Sequence, residues 1–80
     1  RMKPDEIGLL LKVAWEDCGR SLADAASVTK ISKCYLLNME KGDFSALGAR
    51  PYAIGYIKTY AKYLGLDDKH FSEMLRDQYP

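Results

Sequence analysis

Residues 21–42 read SLADAASVTKISKCYLLNMEKG. Ser21 stands just ahead of an apolar position, and Asp24 follows three residues on, the spacing of a capping box with an acid one methylene shorter than glutamate. Leu22, Ala25 and Ala26 supply the inner face of the short helix that follows, and alanines let another helix approach closely. Thr29-Lys30-Ile31 reads as a turn. Ser32 caps a second helix, whose Leu36 and Met39 share one side with Tyr35 at their flank, and Glu40-Lys41-Gly42 ends it. Two short helices, a small residue (Ala26) at their crossing and an apolar turn residue (Ile31) before the cap form the layout of a helix-turn-helix. Lys30 occupies a turn position that is glycine in many such motifs, so the spacing predicts a left-handed backbone at a lysine.

The flanks carry further helix punctuation. Upstream, Pro4-Asp5-Glu6 opens a helix, since proline suits a first turn and acids suit the positive helix end. Ile7, Leu10, Leu11, Ala14 and Cys18 follow helical spacing with Trp15 beside them, and Gly19 stops it. Downstream, Asp43 to Ala49 reads as an irregular link that Phe44 and Leu47 plug onto the core. Pro51 opens a fourth helix and Gly65 closes it. Asp67 caps a fifth, whose apolar face is Phe71, Met74 and Leu75. The helices expected are 4–18, 22–28, 33–41, 51–64 and 68–78. Strand alternation is nearly absent. The fold class is therefore all-α: a single five-helix bundle containing a helix-turn-helix, lambda-repressor-like in layout.

Size and charge narrow the function. With 80 residues the chain forms one small domain with a modest core. No apolar run approaches the roughly 20 residues that span a bilayer. Arg1 ahead of Met2 reads as an added residue before a true start, in a piece cut from a longer protein. Net charge is +1 but uneven: residues 1–19 carry three basic and four acidic groups, residues 20–64 seven and three, residues 65–80 two and four. A mildly basic middle suits an acidic partner and falls short of a strongly basic nucleic-acid domain. Cys18 and Cys34 are too few and too far apart for a metal cluster or redox pair, and read as buried or half-buried thiols in a reducing compartment. The lone histidine, His70, lies near Asp67 and Glu73, a grouping that exposed helical residues explain. No phosphate loop, metal spacing or nucleophile–base pair appears, so neither an enzyme nor a cofactor is expected.

Two surfaces compete for the function. On the third helix, Lys33, Cys34, Leu37, Asn38 and Lys41 face away from Leu36 and Met39. Lys33 and Asn38 are suited to bases or phosphates in a major groove. Leu37 in the middle of that face offers only apolar contact, and Glu40 brings a negative charge near the phosphates. On the fourth helix, PYAIGYIKTYAKYLG (residues 51–65) holds Tyr52, Tyr56, Tyr60 and Tyr63. At about 100° per residue, Ala53, Ile54, Ile57, Ala61 and Leu64 form the inner face. Tyr60 borders it, while Tyr52, Tyr56 and Tyr63 point away. Tyrosines on a rigid helix flanked by Lys58 and Lys62 make a protein-binding patch, against the plainer alternative of packing on Phe44, Leu47 or the fifth helix. Gly55 in mid-helix points to close approach of some surface.

These residues resemble a known family. The stretches TKIS, EKGDF and YAxGYIKxYAKYLGLD, with Ile54 and Thr59 at the x positions, are similar to the cytoplasmic helix-turn-helix domain of RodZ, a bacterial cell-shape protein; the likeness runs from about Ile7 to Leu75. The resemblance implies the N-terminal cytosolic part of a longer membrane protein, on the cytoplasmic face of the inner membrane. A basic linker, one transmembrane helix and a periplasmic part would follow, so membrane contact comes only through a segment absent from this chain. It implies a non-enzymatic adaptor that binds the actin-like filament protein MreB and links it to the cell-elongation complex and peptidoglycan synthesis. The family's contact uses aromatics four apart bracketing a glycine, here Tyr52 and Tyr56 around Gly55. Ile54 stands where the family often has a basic residue, and Gly48-Ala49-Arg50 replaces its Pro-Gly-Arg. The expected partner-binding residues are Tyr52, Tyr56, Lys58 and Lys33, with Tyr63 either extending the patch or packing under the fifth helix. The alternative is a DNA-binding regulator reading with Lys33 and Asn38.

Overall fold

The computed structural model describes residues 3–78, so the reading of Arg1 and Met2 lies outside the described residues. Among these, five α-helices follow one another with no strand: α1 Pro4–Cys18, α2 Leu22–Thr29, α3 Lys33–Glu40, α4 Arg50–Tyr63 and α5 Asp68–Arg76. The link at Phe44–Leu47 is not irregular but a single 3-10 turn. Its Phe44 and Leu47 are buried, which anchors the turn on the core.

Local chemistry sets the helix starts. The Ser21 hydroxyl accepts from the Asp24 amide at 3.0 Å, the Ser32 hydroxyl from the Tyr35 amide at 3.2 Å, and the Asp67 carboxylate from the His70 amide at 3.1 Å. Each satisfies an amide that a helix start leaves without a partner. At α1, the Glu6 carboxylate accepts from the Lys3 backbone amide. The expected return arm of a capping box at α2 is absent: the Asp24 carboxylate accepts from the Tyr63 hydroxyl at 2.7 Å. The turn between α2 and α3 places Lys30 at φ 62°, and its amide donates to the Ala26 carbonyl. Among the described residues Lys30 is the one non-glycine with a positive φ.

The core gathers one face from every helix. Ile7 and Leu11 of α1 meet Leu36 and Met39 of α3, all fully buried. Ala53, Ile57, Tyr60 and Ala61 line the inside of α4, against Phe71 and Leu75 of α5. Burying each large apolar side chain contributes about 1.5–3 kcal/mol, less the entropy of ordering it. Two expectations about the core are corrected, those for Leu10 and Cys34. Leu10 is not an inner-face residue but is 45% exposed, because α3 and α5 cover only the Ile7–Leu11 side of α1. On α2, Ala25 is fully buried and Ala26 is half-buried against the core, the inner-face placement expected of both. Cys18 is half-buried, its thiol on the Trp15 carbonyl, but Cys34 is exposed on the outer face of α3.

A close backbone approach lies where α1 crosses the end of α3. A Cβ on Gly8 would stand 2.5–2.7 Å from the carbonyls of Glu40 and Met39 and the amide of Gly42. Gly42, at φ 81°, faces the Asp5 backbone just as closely. Two glycines thus seat α1 on α3. Gly55, expected to mark such an approach, has nothing within 4 Å of the position a Cβ would take.

Candidate functional site

α4 sorts its tyrosines by depth. Tyr60 is fully buried, and its hydroxyl donates to Glu40 Oε2 at 2.8 Å. Burial and the carboxylate acceptor hold the Tyr60 phenol protonated far above its ordinary range. Tyr63 is half-buried, stacked on the Tyr60 ring at 6.4 Å, with the Arg20 guanidinium 5.3 Å from its centroid. Its hydroxyl is engaged by Asp24. Tyr63 therefore ties α4 to the start of α2. Burial, then the Asp24 acceptor, raise its phenol above the ordinary range, with Arg20 opposing.

The other two tyrosines face outward. Tyr56 is half-buried, its ring tilted against Tyr35 of α3 at 5.3 Å. Tyr52 stands free at 65% exposed. Together with Gly55 and Thr59 they form one wall of a shallow concavity whose other wall is Lys30 and Ile31. A second concavity continues along the same α2–α4 seam, between Val28 and Thr29 on one side and Thr59, Lys62 and Tyr63 on the other. Val28 is 61% exposed. The seam thus offers apolar and aromatic surface edged by lysines, suited to an acidic, partly apolar surface.

Of the sequence-derived site residues, the structure brings Tyr52 and Tyr56 together on one wall and puts Tyr63 at the far end of the seam. Lys58 is exposed on α4, lining neither concavity, and Lys33 is exposed on the first turn of α3, off the seam. Lys30 and Val28 were missed as surface residues. Lys30 stood out only for its backbone, and an isolated valine at a helix end carries no surface signal.

The outer face of α3 changes in one respect. Glu40 does not approach that face; it is turned inward to Tyr60. Burial raises its carboxyl above the ordinary range, while the Tyr60 hydrogen bond and nearby Lys12 pull it down and Glu16 pushes it up. Lys33, Cys34 and Lys41 are exposed, Leu37 is 42% exposed, and half-buried Asn38 points its amide at the Cys34 sulfur. Among the described residues no group of His, Cys, Asp and Glu is placed to hold a metal ion. His70 meets Phe71 edge-on at 6.4 Å.

The comparison with known families agrees with this architecture. A helix-turn-helix domain family matches residues 10–71. The chain belongs to that family. A relative in Bacillus subtilis (strain 168), described as the uncharacterized membrane protein YmfM, is 40% identical over 58 residues. The match covers 71% of this chain and 20% of that relative, so the chain spans a small part of its length. No solved structure matches the chain. Among the described residues no helix is long and apolar enough to cross a membrane.

Proposed function

We propose that this domain is a non-enzymatic adaptor whose outer α4 face grips an actin-like filament protein of the MreB class. It links that filament to the membrane-bound cell-elongation and wall-synthesis machinery, from the cytoplasmic face of the inner membrane. The observation that carries the reading is Tyr52, which projects almost free from the first turn of α4, beside the open surface over Gly55 and next to Tyr56. An aromatic on a rigid helix loses little entropy on binding and buries a large area, which is how interface anchors work. Lys30 supplies a basic rim for an acidic filament surface, with exposed Lys58 farther round α4 and Lys33 at a distance. Family membership supports a regulatory or adaptor module, and a relative described as a membrane protein supports attachment through a segment outside this chain.

Co-sedimentation with polymerised MreB tests the reading. Tyr52→Ala is the clean arm, because Tyr52 has little packing to lose; Tyr52→Ala with Tyr56→Ala is the full one, checked for folding by circular dichroism. Loss of pelleting by both folded variants is expected. Pelleting of the folded double variant at the parent's affinity sinks the proposal.

A second reading is duplex DNA in contact with α3. The inward turn of Glu40 favours it, since that carboxylate no longer opposes phosphates near Lys33 and Lys41. Leu37 at the centre of the face and the part-buried Asn38 weigh against it. A DNA titration at several salt concentrations decides: a specific complex with a steep salt slope supports this reading, and absence of binding at low salt removes it.

A further inference from the structure

α1 is docked by one face and leaves the opposite face bare. Ile7 and Leu11 are fully buried, and Gly8 is seated against the backbone at the end of α3. On the outer side, Leu9 is 57%, Leu10 45% and Val13 46% exposed. Leu9 and Val13 are one turn apart, with Leu10 beside them. Single exposed leucines are ordinary, but three neighbouring apolar side chains on one rigid helix form a patch. The patch is bracketed by charge of one sign. Asp5 and Glu6 lie one turn before it and Glu16 and Asp17 one turn after it, all exposed. Lys12 is the single cation of α1, one ammonium against these four carboxylates, so the helix surface stays net acidic.

This pattern selects among occupants. A second copy meeting face to face would set carboxylates against carboxylates. An anionic bilayer surface repels the same four acids. A neutral apolar surface would desolvate them without partners. A basic amphipathic helix satisfies both parts: its apolar stripe covers Leu9, Leu10 and Val13 while its lysines and arginines meet the carboxylates at either end. We propose that the outer face of α1 is a docking site for a basic amphipathic helix of a partner protein. The site stands on α1, which packs on α3 and α5, whereas the tyrosine seam belongs to α2 and α4. Failure of one leaves the other untouched.

The test titrates the isotope-labelled domain with a synthetic amidated peptide of leucine and lysine whose leucines share one helical face. Amide shifts are expected to concentrate between Leu9 and Asp17. Leu9→Gln with Val13→Gln keeps helix propensity and alters only exposed positions, so it should melt with the parent but bind at least about tenfold more weakly. A peptide of the same composition with its leucines scattered should weaken comparably. Each of the following overturns the proposal: no binding at low salt; shifts confined to α4; equal binding of the scattered peptide; or self-association that the double variant abolishes, which would make the face a contact between copies.

Discussion

The Tyr60 hydroxyl and the Glu40 carboxylate meet at 2.8 Å inside the bundle, joining α4 to the last turn of α3 across 20 residues of sequence. The pair is a buried hydrogen bond and not a surface ion pair. A buried carboxylate costs free energy, and a phenol that stays protonated offsets part of that cost. Tyr60→Phe should fold but lose about 1–3 kcal/mol by chemical denaturation, because it leaves Glu40 buried without its donor.

The same pair sets a pH dependence. The folded-state pKa of Glu40 lies above its ordinary 4.5, so the folded protein holds that proton to higher pH than the unfolded chain. Its contribution to stability is therefore fullest at acid pH and is lost as pH rises through the folded value. Glu40→Gln keeps an acceptor for Tyr60 without the charge. Its stability relative to the parent should rise between about pH 4 and pH 7, read from melts across that range. A difference that falls with pH would contradict the inward, desolvated placement of Glu40.

Gly8 and Gly55 make an informative contrast. Both lie within helices, but only Gly8 faces backbone too close for a Cβ. Gly8→Ala should cost about 1–3 kcal/mol, since two carbonyls and an amide cannot yield as a flexible side chain does. In a domain this small each 1 kcal/mol moves the melting temperature by about 4–8 °C. Scanning calorimetry would reveal the loss, and an unchanged melt would mean that α1 sits farther from α3.

What the sequence made legible was local. Ser21, Ser32 and Asp67 announce helix starts because a cap needs only its own next three residues. Lys30 betrayed its left-handed backbone through the turn chemistry around it. Helical spacing put Tyr60 at the border of the inner face because α4 is long enough for its apolar arc to be defined, and the structure buries it fully. What stayed hidden depended on a second element. Glu40 reads as solvated on a short helix until Tyr60 arrives from α4. Gly8 reads as any helical residue until the end of α3 is laid against it. Tyr63 could not be settled from its spacing, since Asp24, 39 residues away, fixes its role. Leu10 followed the apolar period of α1, but no neighbouring helix came to cover it.

Lys30 offers a stabilising change. Its φ of 62° is a conformation that L side chains adopt at some cost and glycine adopts freely. Lys30→Gly relieves that strain but adds backbone entropy to the unfolded chain. The balance should be a gain of about 0.5–1 kcal/mol, measured by urea denaturation with an unchanged m-value. Since Lys30 also edges the concavity beside Tyr52, the same variant should bind filaments somewhat more weakly despite its greater stability.

Gly55 separates a role in folding from a role in binding. Within the domain a Cβ there meets nothing within 4 Å, and a mid-helix glycine costs about 0.5–1 kcal/mol relative to alanine. Gly55→Ala should therefore stabilise the isolated domain by about that amount. If Tyr52 and Tyr56 anchor a partner, the partner's surface lies directly over Gly55, and the added methyl group meets it. The variant should then melt higher yet co-sediment less with MreB filaments. Higher stability with undiminished pelleting would place the filament away from this part of α4, and with it the grip assigned to Tyr52.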